Sequence, residues 1–158
     1  MSKAGEFEPA MRLALAEASL AVSQSQDVPV GAVILDSSGE VIAVGRNQRE
    51  LHNDPTAHAE IVAIRNAAAT LSDWRLLGCA LVVTLEPCAM CAGAIVAARI
   101  PRVVFGAWDE QVGASGSLYD ILRDSRLGSP VEVIHGVLEQ ECSDQLRVFF
   151  KGRRISHD

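Results

Sequence analysis

The chain has 158 residues, a length that fits one domain spanning residues 1–158 with room for a sizeable core. Apolar residues at 49% and charged residues at 22% exclude a disordered or collagen-like chain, and no apolar run approaches the ~20 residues of a membrane span. Fourteen Lys and Arg against twenty Asp and Glu leave a net charge of −6, so a nucleic-acid partner has to be met by a local basic patch.

Pro9 in a first helical turn, followed by Met11, Leu13, Leu15, Ala18 and Val22, predicts a helix to about Gln24 with a loosely periodic apolar face. Glu17 interrupts what would be the apolar stretch of a signal peptide, so a cytoplasmic protein is expected. Asp27 to Pro29 ends the helix. Val30 to Leu35, the turn residues Asp36 to Gly39 and the run Val41 to Val44 read as a β-hairpin. Asn47 to Thr56 is polar and contains Asp54-Pro55, which predicts a loop. Ala57 to Ala69 lacks Gly and Pro and is rich in Ala, Ile and Glu, so a second helix starts near His58. Ala80 to Leu85 is a third strand, and Pro87 opens a helix from Cys88 to about Ala98. Val103 to Ala107 is a fourth strand. A loop from Asp109 to Ser117 follows, then a short helix near Leu118 to Leu122, a fifth strand at Val131 to Ile134 and a last helix from Leu138 to about Arg154. This α/β order predicts a three-layer α/β/α sandwich around a five-stranded mixed sheet, with strands three and four parallel.

Four cysteines are too few for a disulfide framework in a chain of this length, and Cys88 and Cys91 stand at Cys-x-x-Cys spacing after Pro87. With His58 they supply one imidazole and two thiolates for zinc, leaving a fourth tetrahedral position for water, as a catalytic site requires. A structural zinc would need one more protein ligand, and Cys79 and Cys142 both read as small core residues. Glu60 is the candidate base beside such a water. Residues two apart on a regular helix point to nearly opposite sides, so His58 and Glu60 share a site only if His58 lies at the helix entry. The blander reading makes Glu60 a solvated first-turn carboxylate that favours the helix dipole. His-x-Glu together with Pro-Cys-x-x-Cys is the signature of zinc nucleobase deaminases, in which the Glu moves protons and is not a ligand.

The segments Val28-Pro-Val-Gly-Ala32, Asn47, Asn53-Asp-Pro-Thr-Ala-His-Ala-Glu60, Thr84-Leu-Glu-Pro-Cys88, Met90-Cys-Ala-Gly-Ala94, Val104-Phe-Gly-Ala107 and Gly113-Ala-Ser-Gly-Ser117 extend the pattern. Through them, from about residue 9 to residue 154, the chain resembles the bacterial tRNA-specific adenosine deaminases of the cytidine deaminase-like superfamily. The resemblance implies one Zn²⁺ per chain held by His58, Cys88 and Cys91, and Glu60 as proton shuttle. It implies that Asn47 hydrogen-bonds the flipped base, with Val30, Asp109 and Phe150 as further substrate contacts. It also implies a homodimer that converts a wobble adenosine to inosine in a tRNA anticodon stem-loop.

Lys151, Arg153 and Arg154 are candidate RNA contacts, and of Phe149 and Phe150 one ring can meet a splayed base while the other faces inward. A core-packing aromatic pair beside a solvated basic end is the plainer alternative. Two other functions fit the same zinc motif: a deaminase of a free base or nucleoside such as guanine or cytosine, and a zinc-stabilised RNA-binding module without catalysis.

Overall fold

The computed structural model describes residues 2–155, with side chains as far as Arg153. After a 3-10 turn at Gly5–Phe7 come α1 (Glu8–Ser25), the antiparallel pair β1 (Gly31–Leu35) and β2 (Val41–Arg46), and a one-turn α2 (Arg49–His52). There follow α3 (Ala59–Leu71), β3 (Ala80–Leu85), α4 (Ala89–Ala97), β4 (Arg102–Ala107), β5 (Glu132–Ile134) and α5 (Glu139–Ile155). The strands form one sheet in the order β2-β1-β3-β4-β5. β1 is antiparallel to β2 and β3, whereas β3, β4 and β5 run parallel. The expected three-layer arrangement and mixed sheet are therefore present.

Alternation along the strands sorts the core into two layers. Ala32, Ile34, Leu81, Val83, Val103 and Phe105 face α3 and α4, while Val33, Leu35, Val82 and Val104 face α1 and the start of α5. The first helix meets the sheet through Met11 and a stripe of alanines, Ala10, Ala14, Ala18 and Ala21; Met11 and Ala18 are buried as the sequence suggests, whereas Leu13 is 47% exposed. Alanine on the helix and glycine on the strand let the two backbones approach closely. A Cβ on Gly31 would stand 1.8 Å from the Ala14 carbonyl oxygen, and one on Gly45 would stand 2.4 Å from that of Ala59. Both faces of the hairpin are thereby clamped between α1 and α3.

Two local expectations are corrected. Residues 118–122 are not helical: the N–H groups of Tyr119 and Ile121 donate to the carbonyls of Gly113 and Ala114, and Ser115 pairs with Asp120. The segment folds back on the preceding loop and buries Leu122, so its backbone donors have no helical partners to seek. The predicted loop at 47–56 contains the single turn α2, and buried Asp27 explains it. One oxygen of Asp27 accepts from the N–H of Val28 and from Nε and Nη2 of Arg49, and the other accepts from the N–H of Glu50 in the first turn of α2. Asp27 thus ties the end of α1 to the segment that leads into α3.

Burial opposes the charge on Asp27, but the donors from Glu50, Arg49 and Val28 outweigh it and hold the carboxyl below its ordinary 3.8. Asp27→Asn is expected to cost about 2 kcal/mol of stability at neutral pH. Because the folded-state pKa is the lower one, this contribution is complete above the ordinary carboxylate range and is lost as pH falls through the folded value. Urea denaturation at a series of pH values should show the two proteins converging in acid; a constant difference would refute the assignment.

Candidate metal centre and active site

α3 and α4 begin side by side beyond the carboxyl ends of β3 and β4, the edge of an open α/β sheet where ligands are commonly bound. His58 is the cap residue of α3, with extended backbone (φ −73°, ψ 154°), and Cys88 is the cap residue of α4, likewise extended (φ −74°, ψ 178°). The sequence required His58 to lie at the helix entry, and it does. Because its backbone is not helical, its ring is free of the opposite-side rule and meets the thiols, while Glu60 enters from the first turn of α3.

His58 Nδ1 stands 3.7 Å from Cys88 Sγ and 3.6 Å from Cys91 Sγ. A tetrahedral zinc with ordinary bond lengths places an imidazole nitrogen and a thiolate sulfur about 3.6 Å apart, so these two edges fit the ion. The three ligand atoms all lie within 4.8 Å of one another, and among the described residues the group stops at three. Cys79 and Cys142 are buried elsewhere; burial pushes the Cys142 thiol up to about 12. Three soft or borderline donors, with no fourth among the described residues, make a site for one zinc per chain with a position left for water.

The charges agree with that reading. The hydrogen bond from Cys91, then that from His58, draws the Cys88 thiol down to about 4 against its burial, while sharing with Cys88 and burial push Cys91 up. A cation among them would let both sulfurs ionise. The hydrogen bond to Cys88 raises His58. Glu60, only 4% exposed, is pushed up to about 7 by burial, which rules out the solvated first-turn carboxylate.

A cavity of about 660 Å³ opens over this cluster, and Val30, Asn47, Asp109 and Phe150 all line it. Asn47 is 5% exposed: its Nδ2 donates to the Val28 carbonyl and its Oδ1 accepts from the Ala59 N–H, so it braces the start of α3 against the entry to β1. That leaves one amide hydrogen and one oxygen lone pair for a ligand. Asp109 Oδ1 accepts from the N–H groups of Gln111 and Val112 in its own turn. Phe150 is 46% exposed at the cavity, and Phe149 meets it edge to face at 5.3 Å.

Lys151 and Arg153 fall outside the lining. Lys151 is exposed on α5. Arg153 donates to the Gln26 carbonyl and lies over Phe149, joining the end of α5 to the end of α1. The side chain of Arg154 lies outside the described residues. Trp108, Arg49 and Glu86 are among the lining residues assigned no role from the sequence. Trp108 packs on Phe105 and His135, and its place directly after a parallel strand was the available signal. Arg49, held by Asp27, carried no sequence signal, and Glu86 could have been noticed as an acid at a strand end directly before Pro87.

Residues 6–107 match the zinc-binding region of the cytidine and deoxycytidylate deaminases. The chain is 48% identical to the tRNA-specific adenosine deaminase of Haemophilus influenzae over 147 residues, 93% of this chain and 84% of that protein. A solved structure from studies of A-to-I editing by tRNA:A34 deaminases at the wobble position of transfer RNA superposes with a TM-score of 0.82 at 43% identity, covering 86% of this chain and 97% of that one. Guanine deaminase from Bacillus subtilis is 40% identical over a smaller share, 68% of this chain and 66% of that one, with a TM-score of 0.62. With its metal-ligand geometry and a match over 93% of its length, the chain belongs to the tRNA-specific adenosine deaminase family.

Proposed function

We propose that this chain hydrolyses the adenosine at the wobble position of a tRNA anticodon loop to inosine, releasing ammonia. The observation that carries the reading is the convergence of a three-donor zinc site and buried Glu60 at one cavity, in a chain whose relatives over most of its length are tRNA deaminases. When bound, zinc supplies Lewis acidity that lowers the pKa of water towards ~7.

The protein's own groups do the rest. Glu60 takes the proton released by water as oxygen adds to the purine carbon bearing the amine. It passes that proton to the ring nitrogen, and a second to the amine as the carbon–nitrogen bond breaks. Asn47 offers its remaining hydrogen-bonding capacity to the base edge, and Val30 supplies an apolar wall. Phe150 and Trp108 provide ring surface for the bases on either side, and Asp109 closes the far side of the cavity.

Recognition of the RNA backbone falls to few cations. Among the described residues Arg49 is the sole Lys or Arg in the lining, against Glu60, Glu86, Asp109, Glu110 and Glu139. Asp27 fixes its Nε and Nη2, leaving Nη1 for a phosphate oxygen. Lys151, Arg153 and Arg154 serve at most the outer part of the stem. Exposed Met90, Val112, Leu118 and Tyr119 offer apolar surface that a second copy would cover, in keeping with a homodimer. No helix of the described residues is long and apolar enough to cross a membrane, which accords with a cytoplasmic setting for work on tRNA.

The test is inosine formation at the wobble position of an adenosine-bearing anticodon stem-loop, with free adenosine, guanine and cytosine as competitors for the assignment. Wild type is expected to convert the stem-loop, and turnover of a free base alone would overturn the RNA reading. Glu60→Ala should keep its fold and its zinc while turnover falls at least about 100-fold. Arg49→Gln should raise KM for the stem-loop by about tenfold and lower the salt slope by about one, with little change for any free nucleoside. Equal losses on both substrates would place Arg49 in the fold rather than in RNA contact.

A further inference from the structure

Glu86 is 2% exposed, and among the described residues it forms no ion pair within 4.0 Å. Instead its carboxylate is ringed by donors from one loop. Oε1 accepts from the Asp109 N–H at 3.0 Å; Oε2 accepts from the Ser115 N–H at 3.0 Å, the Ser117 N–H at 3.1 Å and the Ser117 hydroxyl at 2.9 Å. The backbone around it is tied to the same loop. The Ala114 N–H donates to the Pro87 carbonyl at 2.9 Å, and Cys88 pairs with Gly113. Gly113 has no room for a side chain: a Cβ there would lie 2.4 Å from Glu86 Oε1 and from the Asp109 carbonyl oxygen, and 2.3 Å from Ser117 Oγ.

The loop held in this way supplies Asp109, Glu110, Gln111 and Val112 to the cavity wall, and Glu86 lies two residues before metal ligand Cys88. One side chain therefore sets the position of this stretch of wall relative to the start of α4, which carries the thiols. Burying a carboxylate without a cation is costly, and neutral side chains could have closed an ordinary turn. Three converging backbone N–H groups make a seat that an acceptor-only side chain fills and an amide cannot.

We propose that Glu86 is a positioning residue of the deaminase: through the 109–117 loop it fixes the cavity wall relative to the metal ligands and so aligns the base for attack. This rests on the deaminase reading of the site. It does not depend on which nucleobase is turned over.

In Glu86→Gln an amide N–H₂ faces either the Asp109 donor or the Ser115 and Ser117 donors, and the loop is released on that side. The expected result is a folded protein with one zinc per chain and faster hydrogen exchange at the Asp109, Ser115 and Ser117 amides. Its kcat on the wild-type substrate should be about 100-fold lower, as a misplacement near 1 Å produces. Gly113→Ala, which pushes the same loop with Glu86 intact, should give the same exchange and kcat signature, and the double variant should lose less than the two effects combined. If Glu86→Gln does not fold, Ser117→Ala removes a single donor and should show faster exchange at Asp109 with a kcat about threefold to tenfold lower. Unchanged kcat per zinc-loaded molecule in a variant whose loop exchanges faster would overturn the proposal. So would activity lost in step with zinc, which would place Glu86 in the metal site. Kinetics are read on whichever substrate wild type deaminates, stem-loop or free nucleobase, so failure of the RNA assignment leaves this test standing.

Discussion

Everything at this site depends on two helices starting at the same place with a non-helical residue at each start. An extended cap residue escapes the helical rule for where side chains point, so His58 can turn towards Cys88 and Cys91 while Glu60, two residues on, reaches the same cavity. The positive ends of both helix dipoles lie at the cluster and favour the thiolate forms that bind metal. The sheet makes the convergence possible. Parallel β3 and β4 deliver Cys88 and the 109–117 loop to one edge, glycines 31 and 45 let α1 and α3 close on opposite faces of the hairpin, and Asn47 and Glu60 are buried at the start of α3.

Composition and function pull against each other in this protein. A chain of net charge −6, with five acids and one cation among the described residues around its cavity, is ill suited to hold RNA by phosphate contacts alone. Three of the acids are nevertheless accounted for by local work. Glu60 is a buried proton carrier in the proposed mechanism, Glu86 is spent on loop amides, and Asp109 on its own turn. Ring surface from Trp108 and Phe150 carries no charge requirement, so stacking can supply what the sparse cations do not.

The strands were legible because each is a short apolar run bounded by Gly, Pro or Asp, and the zinc ligands because their chemistry and spacing are rare together. The face of α1 was legible in part. Met11 and Ala18 are buried as the pattern suggests, but Leu13 is exposed and Ala14 faces the sheet instead, because the close approach that selects a small residue there exists only once Gly31 is opposite it. The helix expected at 118–122 failed for a similar reason, since its N–H groups found partners in Gly113 and Ala114 that no local pattern announces. Arg49 was invisible and Glu86, though part of the Thr84-Leu-Glu-Pro-Cys88 segment, carried no role, because a lone charged residue reads as solvated surface until a buried partner, Asp27 for one and the 109–117 amides for the other, is known.

The claim on which the account rests is a zinc ion with three protein ligands and one open position. X-ray absorption at the zinc edge of the purified protein measures this directly. The account predicts about one zinc per chain bound by two sulfurs near ~2.3 Å and two lighter atoms near ~2.0–2.1 Å, one from imidazole and one exchangeable with added small anions. A shell of three or four sulfurs, or a fourth position that no anion displaces, would mark a closed structural site and contradict it.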